Sequence, residues 1–135
     1  MTQIRNPKPK SKYFIPKELF LMTIHFCRQY PDWIAQLEVL TDANTGIAYD
    51  KDRVQTSNQY DSTSALAMKR AAMSRKIDMV RSAAKAVAGH QYKWLILGCC
   101  YGEPYYQLRH KGIPCGKNLY YAWRRRFYYE LSQKL

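Results

Sequence analysis

The last third of the sequence carries basic, amide and phenol side chains at helical spacing. Within residues 116–133, Lys117, Asn118, Tyr121 and Arg125 fall on one side of a helical wheel, near the N-terminal end. Lys and Arg suit the acceptors of guanine, Asn suits adenine, and Tyr reaches a phosphate or a thymine methyl group. The spacing therefore favours hydrogen bonding to nucleic-acid bases by this end of the helix.

Three further cations lie near this group. Arg124 and Arg126 flank it on the same helix, and Lys111 lies in the preceding turn. Their charge suits backbone phosphates, which fix the position of a protein on a duplex. Another set of side chains lies on the roughly opposite side, within an arc of about 80° at 100° per residue. We expect this set to face a core: Tyr120, Trp123, Phe127 and Leu131.

The elements around this helix predict how it is positioned. Residues 103–111 form a short predicted helix, a turn with Gly112 follows, and the long helix over 116–133 comes next. A short helix, a glycine-containing turn and a longer basic helix are typical of a helix-turn-helix, whose second helix lies in the major groove of DNA. Residues 92–135 are therefore predicted to form a helix-turn-helix part, with 116–133 as its recognition helix.

The first two thirds of the chain are predicted to form an arm and a helical part. Residues 1–14 are basic and poor in apolar side chains, which predicts a flexible arm whose residues 5–12 reach phosphates or the minor groove. Residues 15–91 are predicted to be an N-terminal helical part, interrupted by a long acidic loop over 41–61. Pro31 leaves open whether one kinked helix or two precede that loop.

Helical periodicity dominates the rest of the chain. From Ser62 to about Ala88 apolar residues recur at helical spacing, and Gly89 is expected to end that helix. The apolar segment Tyr92–Cys100 is typical of a buried helix, and no segment shows a convincing strand pattern. The sequence therefore predicts an all-α fold, a small helical bundle that ends in a helix-turn-helix and forms a single compact unit.

The charge is large and unevenly distributed. Lys and Arg number 22 against 10 Asp and Glu, a net charge of +12, and residues 92–135 carry +6 of it. Clustered positive charge favours a polyanionic partner. No run of apolar residues is long enough to span a membrane, and Met1–Lys12 does not resemble a secretory signal. We therefore expect a cytoplasmic protein with reduced cysteines and no membrane partner.

Motifs for catalysis or metal binding are missing from the sequence. Cys99, Cys100, His110 and Cys115 contain no Cys-x2-Cys pair, so zinc is not expected. The sequence has no P-loop, no dinucleotide fingerprint and no His-Glu-x-x-His motif. The prediction is a protein that is not an enzyme and has no cofactor, no catalytic residue and no metal ligand.

The segment Ile113–Phe127 resembles the final helix of RinA/ArpU-like phage transcriptional regulators. The family pattern runs from a glycine or serine through a basic and a small polar residue to a threonine and an aromatic residue, then on to a second aromatic residue, an Arg-rich run and Phe. These positions read Gly116, Lys117, Asn118, Leu119, Tyr120, Trp123, Arg124, Arg125, Arg126 and Phe127, with Leu119 in place of the usual threonine. Weaker similarity lies in Cys27–Trp33 and in the basic helix around Ala65–Ala84.

This resemblance implies a function that residue spacing alone does not give. Members of the family come from phages and prophages of Gram-positive bacteria and end in a helix-turn-helix similar to sigma-factor region 4. The resemblance implies a DNA-binding transcription regulator in the cytoplasm of a bacterial host cell. It further implies double-stranded DNA as the partner and contact with RNA polymerase or another host protein, and a homodimer on two half-sites is the usual arrangement of such helices.

Two alternatives stay open at the level of the sequence. A phage-encoded interaction module, of the anti-CRISPR or polymerase-inhibitor kind, would use the aromatic residues and arginines as a protein interface. An RNA or single-strand binder would stack bases on tyrosines, and the same tyrosines would otherwise fill a small core. The tyrosines concerned are Tyr101, Tyr105, Tyr106, Tyr128 and Tyr129.

Overall fold

The all-α prediction is confirmed. A computed structural model of the chain describes residues 12–49 and 57–135, with side chains described for 12–40 and 64–135, and its regular secondary structure in those ranges is helical throughout. The helices are α1 (Lys17–Arg28), α2 (Tyr30–Tyr49), α3 (Ser57–Ala88), α4 (Tyr92–Cys99), α5 (Tyr105–His110) and α6 (Lys117–Ser132), with a 3₁₀ turn at Gly89–Gln91. No helix in these ranges is long and apolar enough to cross a membrane.

Proline and glycine residues mark the beginning of α1 and the end of α3 where the sequence predicts them. Pro16 precedes α1, and its carbonyl accepts a 2.8 Å hydrogen bond from the backbone N–H of Phe20. α1 ends at Arg28 and α2 begins at Tyr30, so the chain forms two helices here, not one kinked helix, and Pro31 is the second residue of α2. Gly89 ends α3 with a φ of +57°, a left-handed conformation that favours glycine over any residue with a Cβ.

The acidic loop predicted over 41–61 differs from the structure. α2 continues to Tyr49 and α3 already begins at Ser57, so helix extends into the predicted loop from both sides. Between Leu40 and Tyr49 the chain has no proline, and its two alanines favour a helix although the apolar period is lost. Residues 50–56 lie outside the described residues.

The chain divides into two units where the sequence predicts one. The first takes in the chain up to Tyr30 together with Met79–Leu135, and the second is Pro31–Asp78. In the second unit Trp33, Met73 and Ile77 are buried. The unit is tied further by the Arg70 guanidinium, which donates a 3.3 Å hydrogen bond to the carbonyl of Leu40, and by Lys76, whose Nζ lies 5.6 Å from the Trp33 ring centroid.

The first unit is a small bundle formed by α1, α4, α5, α6 and the C-terminal turns of α3. Its core consists of apolar side chains from all five elements, and it includes Phe20, Ile24, Cys27, Val80, Leu95, Cys99, Leu108, Phe127 and Leu131. α4 and α6 approach closely at Gly98, where a Cβ would overlap the hydroxyl of Tyr120. The absence of a side chain at Gly98 therefore sets the distance between these two helices.

The arm predicted over 1–14 falls largely outside the described residues, which begin at Lys12. Phosphate or minor-groove contact by residues 5–12 stays a prediction. The residues that follow are part of the first unit: Ile15 is buried, and the Tyr13 ring meets the Tyr129 ring edge-on with centroids 5.5 Å apart. Packing of the chain on α6 thus begins by Tyr13.

Candidate nucleic-acid interface

The turn between α5 and α6 has a fixed backbone geometry. Gly112 adopts a φ of +97°, and its N–H donates a 3.1 Å hydrogen bond to the carbonyl of Arg109. The N–H of Ile113 donates a 3.0 Å bond to the carbonyl of Leu108, which closes the C-terminal end of α5. Because only glycine adopts this φ readily, the turn predicted at Gly112 depends on that residue.

Side chains tie the same turn to both helices. The Tyr105 hydroxyl donates a 2.9 Å hydrogen bond to the carbonyl of Cys115, so the first residue of α5 holds the chain just before α6. The Tyr105 ring lies 5.7 Å from the buried ring of Tyr120 on α6. Leu108 is fully buried between these elements. Contacts from α5 and from the turn therefore hold the first residues of α6 in place.

The first turns of α6 present the base-reading residues predicted from the sequence. Lys117 and Asn118 are exposed and Tyr121 is half-buried. The Lys117 Nζ lies 5.9 Å from the Tyr121 ring centroid, and the Arg124 guanidinium lies 4.6 Å from it. Two cations against one ring restrict its rotation and stabilise the arrangement by about 0.5–1 kcal/mol each at an exposed site. Lys117, Tyr121 and Arg124 therefore form one stripe along the helix.

The three arginines of α6 have different surroundings. Arg125 and Arg126 are exposed, whereas Arg124 is half-buried. Burial raises the pKa of Tyr120, and the Arg124 charge acts against that rise. Arg124 thus lies between the surface and the core with its guanidinium against Tyr121, while Arg125 and Arg126 extend into solvent.

Of the phosphate ligands predicted on α6 and in the turn before it, Lys111 alone has an acidic partner. Its Nζ forms an ion pair with the Glu103 carboxylate, which comes from the residue before Pro104. The Lys111 side chain is half-exposed and the Glu103 side chain is 18% exposed. The pair links the two sides of α5 and partly neutralises the charge at the turn.

The C-terminal end of α6 is more buried than the helical wheel predicts. Tyr120, Phe127 and Leu131 are buried as expected, whereas Trp123 is only half-buried. Tyr128 is only 2% exposed although it lies on the side of the wheel assigned to the basic residues. Its ring meets that of Phe20 on α1 at 5.8 Å. α1 therefore covers this end of α6 and leaves a basic face only on the preceding turns.

The tyrosines proposed for base stacking separate by exposure. Tyr128 is in the core, so it is unavailable to a base, and Tyr105 is half-buried with its hydroxyl engaged. Tyr129 is half-buried against Tyr13. Tyr101 and Tyr106 are 48% and 64% exposed. Of this group only the last two present much of their rings to a partner.

Three of the four cysteines lie together in the core of the first unit. Cys27, Cys99 and Cys100 are buried, and Cys115 is half-buried at the turn. A hydrogen bond with Cys100 and burial raise the pKa of Cys27, while burial raises the pKa of Cys99 to about 12. The raised pKa values of Cys27 and Cys99 favour the protonated thiol, which is not the nucleophilic form. In the part of the chain whose side chains are described, no three His, Cys, Asp or Glu residues are grouped to hold a metal ion.

A cleft lies beside the basic stripe, between the start of α5, the turn and the start of α6. Its volume is about 730 Å³. The residues that line it include Tyr105, Tyr106, Arg109, Ile113, Lys117 and Tyr121. Sequence reasoning did not single out Arg109, which is exposed on the last turn of α5 and follows Tyr106 by three residues, the spacing that puts both on one face of a helix.

A second group of cations missed as site residues lies on α3. Lys69, Arg75 and Lys76 are exposed in the second unit, and Lys85 is exposed in the first. Lys85 Nζ lies 4.9 Å from the Tyr92 ring centroid. Their helical spacing was visible in the sequence, but nothing in their residue types distinguishes a solvated face from a phosphate-binding one.

The α5–turn–α6 arrangement offers hydrogen-bond donors, positive charge and exposed aromatic rings on a fixed backbone. Lys117, Asn118 and Arg125 are the exposed donors at its centre. Such a surface is suited to bind a polyanion with stacked bases. Comparison with protein-family models, curated proteins and solved structures gives no match for this chain.

Proposed function

We propose that this protein is a sequence-specific double-stranded DNA-binding transcription regulator of phage type. The observation that carries the proposal is the exposure of Lys117, Asn118 and Arg125 on the first turns of α6, on a helix held by a fixed turn and a packed α5. Base-reading residues need such support because their hydrogen bonds must meet base edges in one register.

The dimensions of α6 suit the major groove. Its 16 residues span about 24 Å at 1.5 Å per residue, and the groove is about 12 Å wide, enough for one helix. Lys117 and Arg125 would donate to guanine acceptors, and Asn118 would bind adenine. The end of α6 that is covered by α1 would lie outside the groove.

The remaining cations suit the DNA backbone. Arg126 is exposed and would contact a phosphate, and Arg124 would do so while it holds Tyr121. Lys111 would exchange its contact with Glu103 for a phosphate at the turn. Each phosphate neutralised steepens the salt dependence of binding, by a slope of about 0.9 in log K against log salt. The net charge of +12 makes a steep dependence the expected behaviour.

Selection from a random duplex pool tests this proposal. The purified protein is incubated with the pool at two salt concentrations, and bound DNA is sequenced after one round. We expect an enriched motif that persists at the higher salt, and two related half-sites would indicate binding as a homodimer. A parallel pulldown against host RNA polymerase tests the contact that the family resemblance implies.

Two double variants separate base reading from general charge. Lys117→Ala with Arg125→Ala removes two base contacts and is expected to abolish the motif, with a loss of at least about thirtyfold in affinity if each contact contributes about 1–3 kcal/mol. Lys17→Ala with Arg28→Ala removes the same charge from exposed positions on α1 and is the matched control. Motif-free binding that disappears with salt, equally in both variants, would contradict the proposal and favour a protein-interaction module.

A further inference from the structure

The cleft between α5 and α6 has a lining of unusual chemistry for a small helical protein. Arg109 and Lys117 supply two exposed cations, and none of its lining residues is acidic. Tyr106 supplies a ring that is 64% exposed, and Ile113 adds an apolar wall. A ligand that satisfies this lining needs a flat apolar part and a negative charge close together.

The size of the cleft limits the ligand further. A volume of about 730 Å³ lies within the range of small-molecule sites, roughly 300–1,000 Å³. It is therefore suited to one nucleotide and too small for a folded partner. Tyr121 lines the cleft and also belongs to the basic stripe of α6, so the cleft and the stripe are adjacent.

We propose that this cleft binds a single unpaired nucleotide of the DNA strand that α6 contacts. The base would stack on Tyr106 against Ile113, and the attached phosphate would bind Arg109, since Lys117 at the edge of the cleft contacts a base of the paired strand. This inference rests on the proposed function, because the adjacent stripe must bind DNA to bring the strand to the cleft. It adds to that function a preference for DNA with a base out of its stack.

The free energy of taking a base out of its stack determines which DNA would place a nucleotide in the cleft. The free energy needed to move a base out of an intact duplex is about equal to the free energy gained when that base stacks on one aromatic side chain. The cleft therefore gains little from fully paired DNA. A bulged or mismatched nucleotide has already lost its pairing, so binding in the cleft adds affinity at small cost. The protein is accordingly expected to prefer a duplex with one unpaired nucleotide.

The first test uses the free protein and a free nucleotide. Amide chemical shifts of the ¹⁵N-labelled full chain are followed during titration with thymidine 5′-monophosphate, with thymidine and with inorganic phosphate. We expect shifts concentrated at residues 105–113, 115–117 and 121, with tighter binding of the monophosphate than of either part. Equal binding of inorganic phosphate, or shifts spread over the cations of α1 and α3, would overturn the proposal.

Exposed positions provide the variants for this titration. Tyr106→Ala and Arg109→Ala are each expected to weaken monophosphate binding by about tenfold, and Tyr106→Phe is expected to retain it because the ring remains. Arg28→Ala on α1 is the control for charge, with no change expected. Because Tyr106, Arg109 and Arg28 are all exposed, none of the four variants disturbs the core. Unchanged binding in Tyr106→Ala would show that no base stacks there.

The second test separates this inference from the proposed function. Affinity is measured for a duplex carrying the selected motif and for the same duplex with one additional unpaired thymidine at positions scanned along it. We expect about tenfold tighter binding at one position, lost in Tyr106→Ala while binding of the paired duplex is retained. Equal affinity at every position overturns the inference and leaves the function standing. Failure to bind either duplex overturns the function, and the nucleotide titration then decides the cleft by itself.

Discussion

The two ends of α6 have similar residues and different surroundings. Both residues 117–126 and residues 127–132 are rich in aromatic side chains, yet one residue of the first ten is buried, Tyr120, against four of the last six. The difference comes from α1, which brings Phe20 against Tyr128 and covers the last turns of α6. Residue type alone therefore does not decide which aromatic residues form the core. The partner helix decides it.

This division gives each end of α6 its own role. The last turns of α6 pack in the core of the first unit, whereas the first turns of α6 remain exposed and are supported by α5 and the turn before α6. Arg124 lies at the border, half-buried, with its charge close to Tyr121 and within reach of the buried tyrosines. Changes at the two ends should therefore separate stability from DNA affinity, and the following predictions test that separation.

The largest expected effect is the loss of a core ring from the buried end. Phe127 is fully buried, so Phe127→Ala leaves a cavity and should lower the free energy of unfolding by about 3–5 kcal/mol. Leu119→Ala at the exposed end is the matched control, since Leu119 is 50% exposed and should cost less than about 0.5 kcal/mol. Urea denaturation followed by circular dichroism measures both. Similar losses in the two variants would erase the proposed difference between the ends.

A smaller loss of stability is expected at the contact between α4 and α6, which anchors the exposed end of α6. Gly98→Ala places a Cβ against the hydroxyl of Tyr120, so α4 and α6 must move apart at a cost of about 1–3 kcal/mol. Gly116→Ala is the control because a Cβ there meets no atom and the φ is −76°, so the expected loss is below about 1 kcal/mol and comes only from the weaker N-cap preference of alanine. Thermal unfolding of both variants provides the comparison. Full stability in Gly98→Ala would show that Tyr120 does not anchor α6.

Alkaline pH should destabilise the core that packs around the buried end of α6. Burial raises the pKa of Cys99 from 9.0 to about 12 and raises that of Tyr128 well above 10.0, so both groups are neutral in the fold. The folded state then binds more protons than the unfolded state above pH 9, and stability falls as pH rises from about 9 towards 12. The slope is at most about 1.4 kcal/mol per pH unit for each group.

Urea denaturation between pH 8 and pH 11, in the presence of a reductant, measures this slope. Cys99→Ala removes one of the groups and should flatten the decline relative to the wild-type protein. Cys115→Ala is the matched control, because that thiol is only half-buried at the turn. A decline that is identical in all three proteins would contradict the role assigned to the buried thiol.

The smallest effect concerns the ion pair at the turn. Glu103→Gln releases Lys111 from its acidic partner and is expected to raise duplex affinity about twofold to fivefold, in line with the small contribution of exposed pairs. Stability should change by less than about 1 kcal/mol. Fluorescence anisotropy with the selected duplex measures the gain. Glu130→Gln on α6 removes the same charge away from the turn and is the control, so an equal gain in both would indicate general charge only.

Much of the first unit follows from the sequence. Pro16, Gly89 and Gly112 mark helix ends and a turn through their backbone preferences, and these act locally. The burial of Tyr120, Phe127 and Leu131 follows from helical periodicity. The exposure of Lys117, Asn118 and Arg125 was predicted by the same wheel and is confirmed.

The remaining features depend on contacts between distant parts of the chain. Tyr128 is buried because α1 crosses that side of α6. The sequence of α6 alone does not predict where α1 packs. The pairing of Lys111 with Glu103 depends on the path of the turn. Helix in 41–49 escaped prediction because its apolar residues lack a period, although its composition permits a helix. The cleft, with Arg109, appears only once α5 and α6 are placed together.

The most direct test of the central claim is the duplex affinity of one variant from each end of α6. It is measured with the selected duplex at a temperature where both proteins are folded. Lys117→Ala with Arg125→Ala should lose at least about thirtyfold in affinity, whereas Phe127→Leu, a milder core change, should stay within about twofold of the wild-type protein. Wild-type affinity in the first variant, or an equal loss in the second, would contradict the assignment of DNA binding to the exposed end of α6.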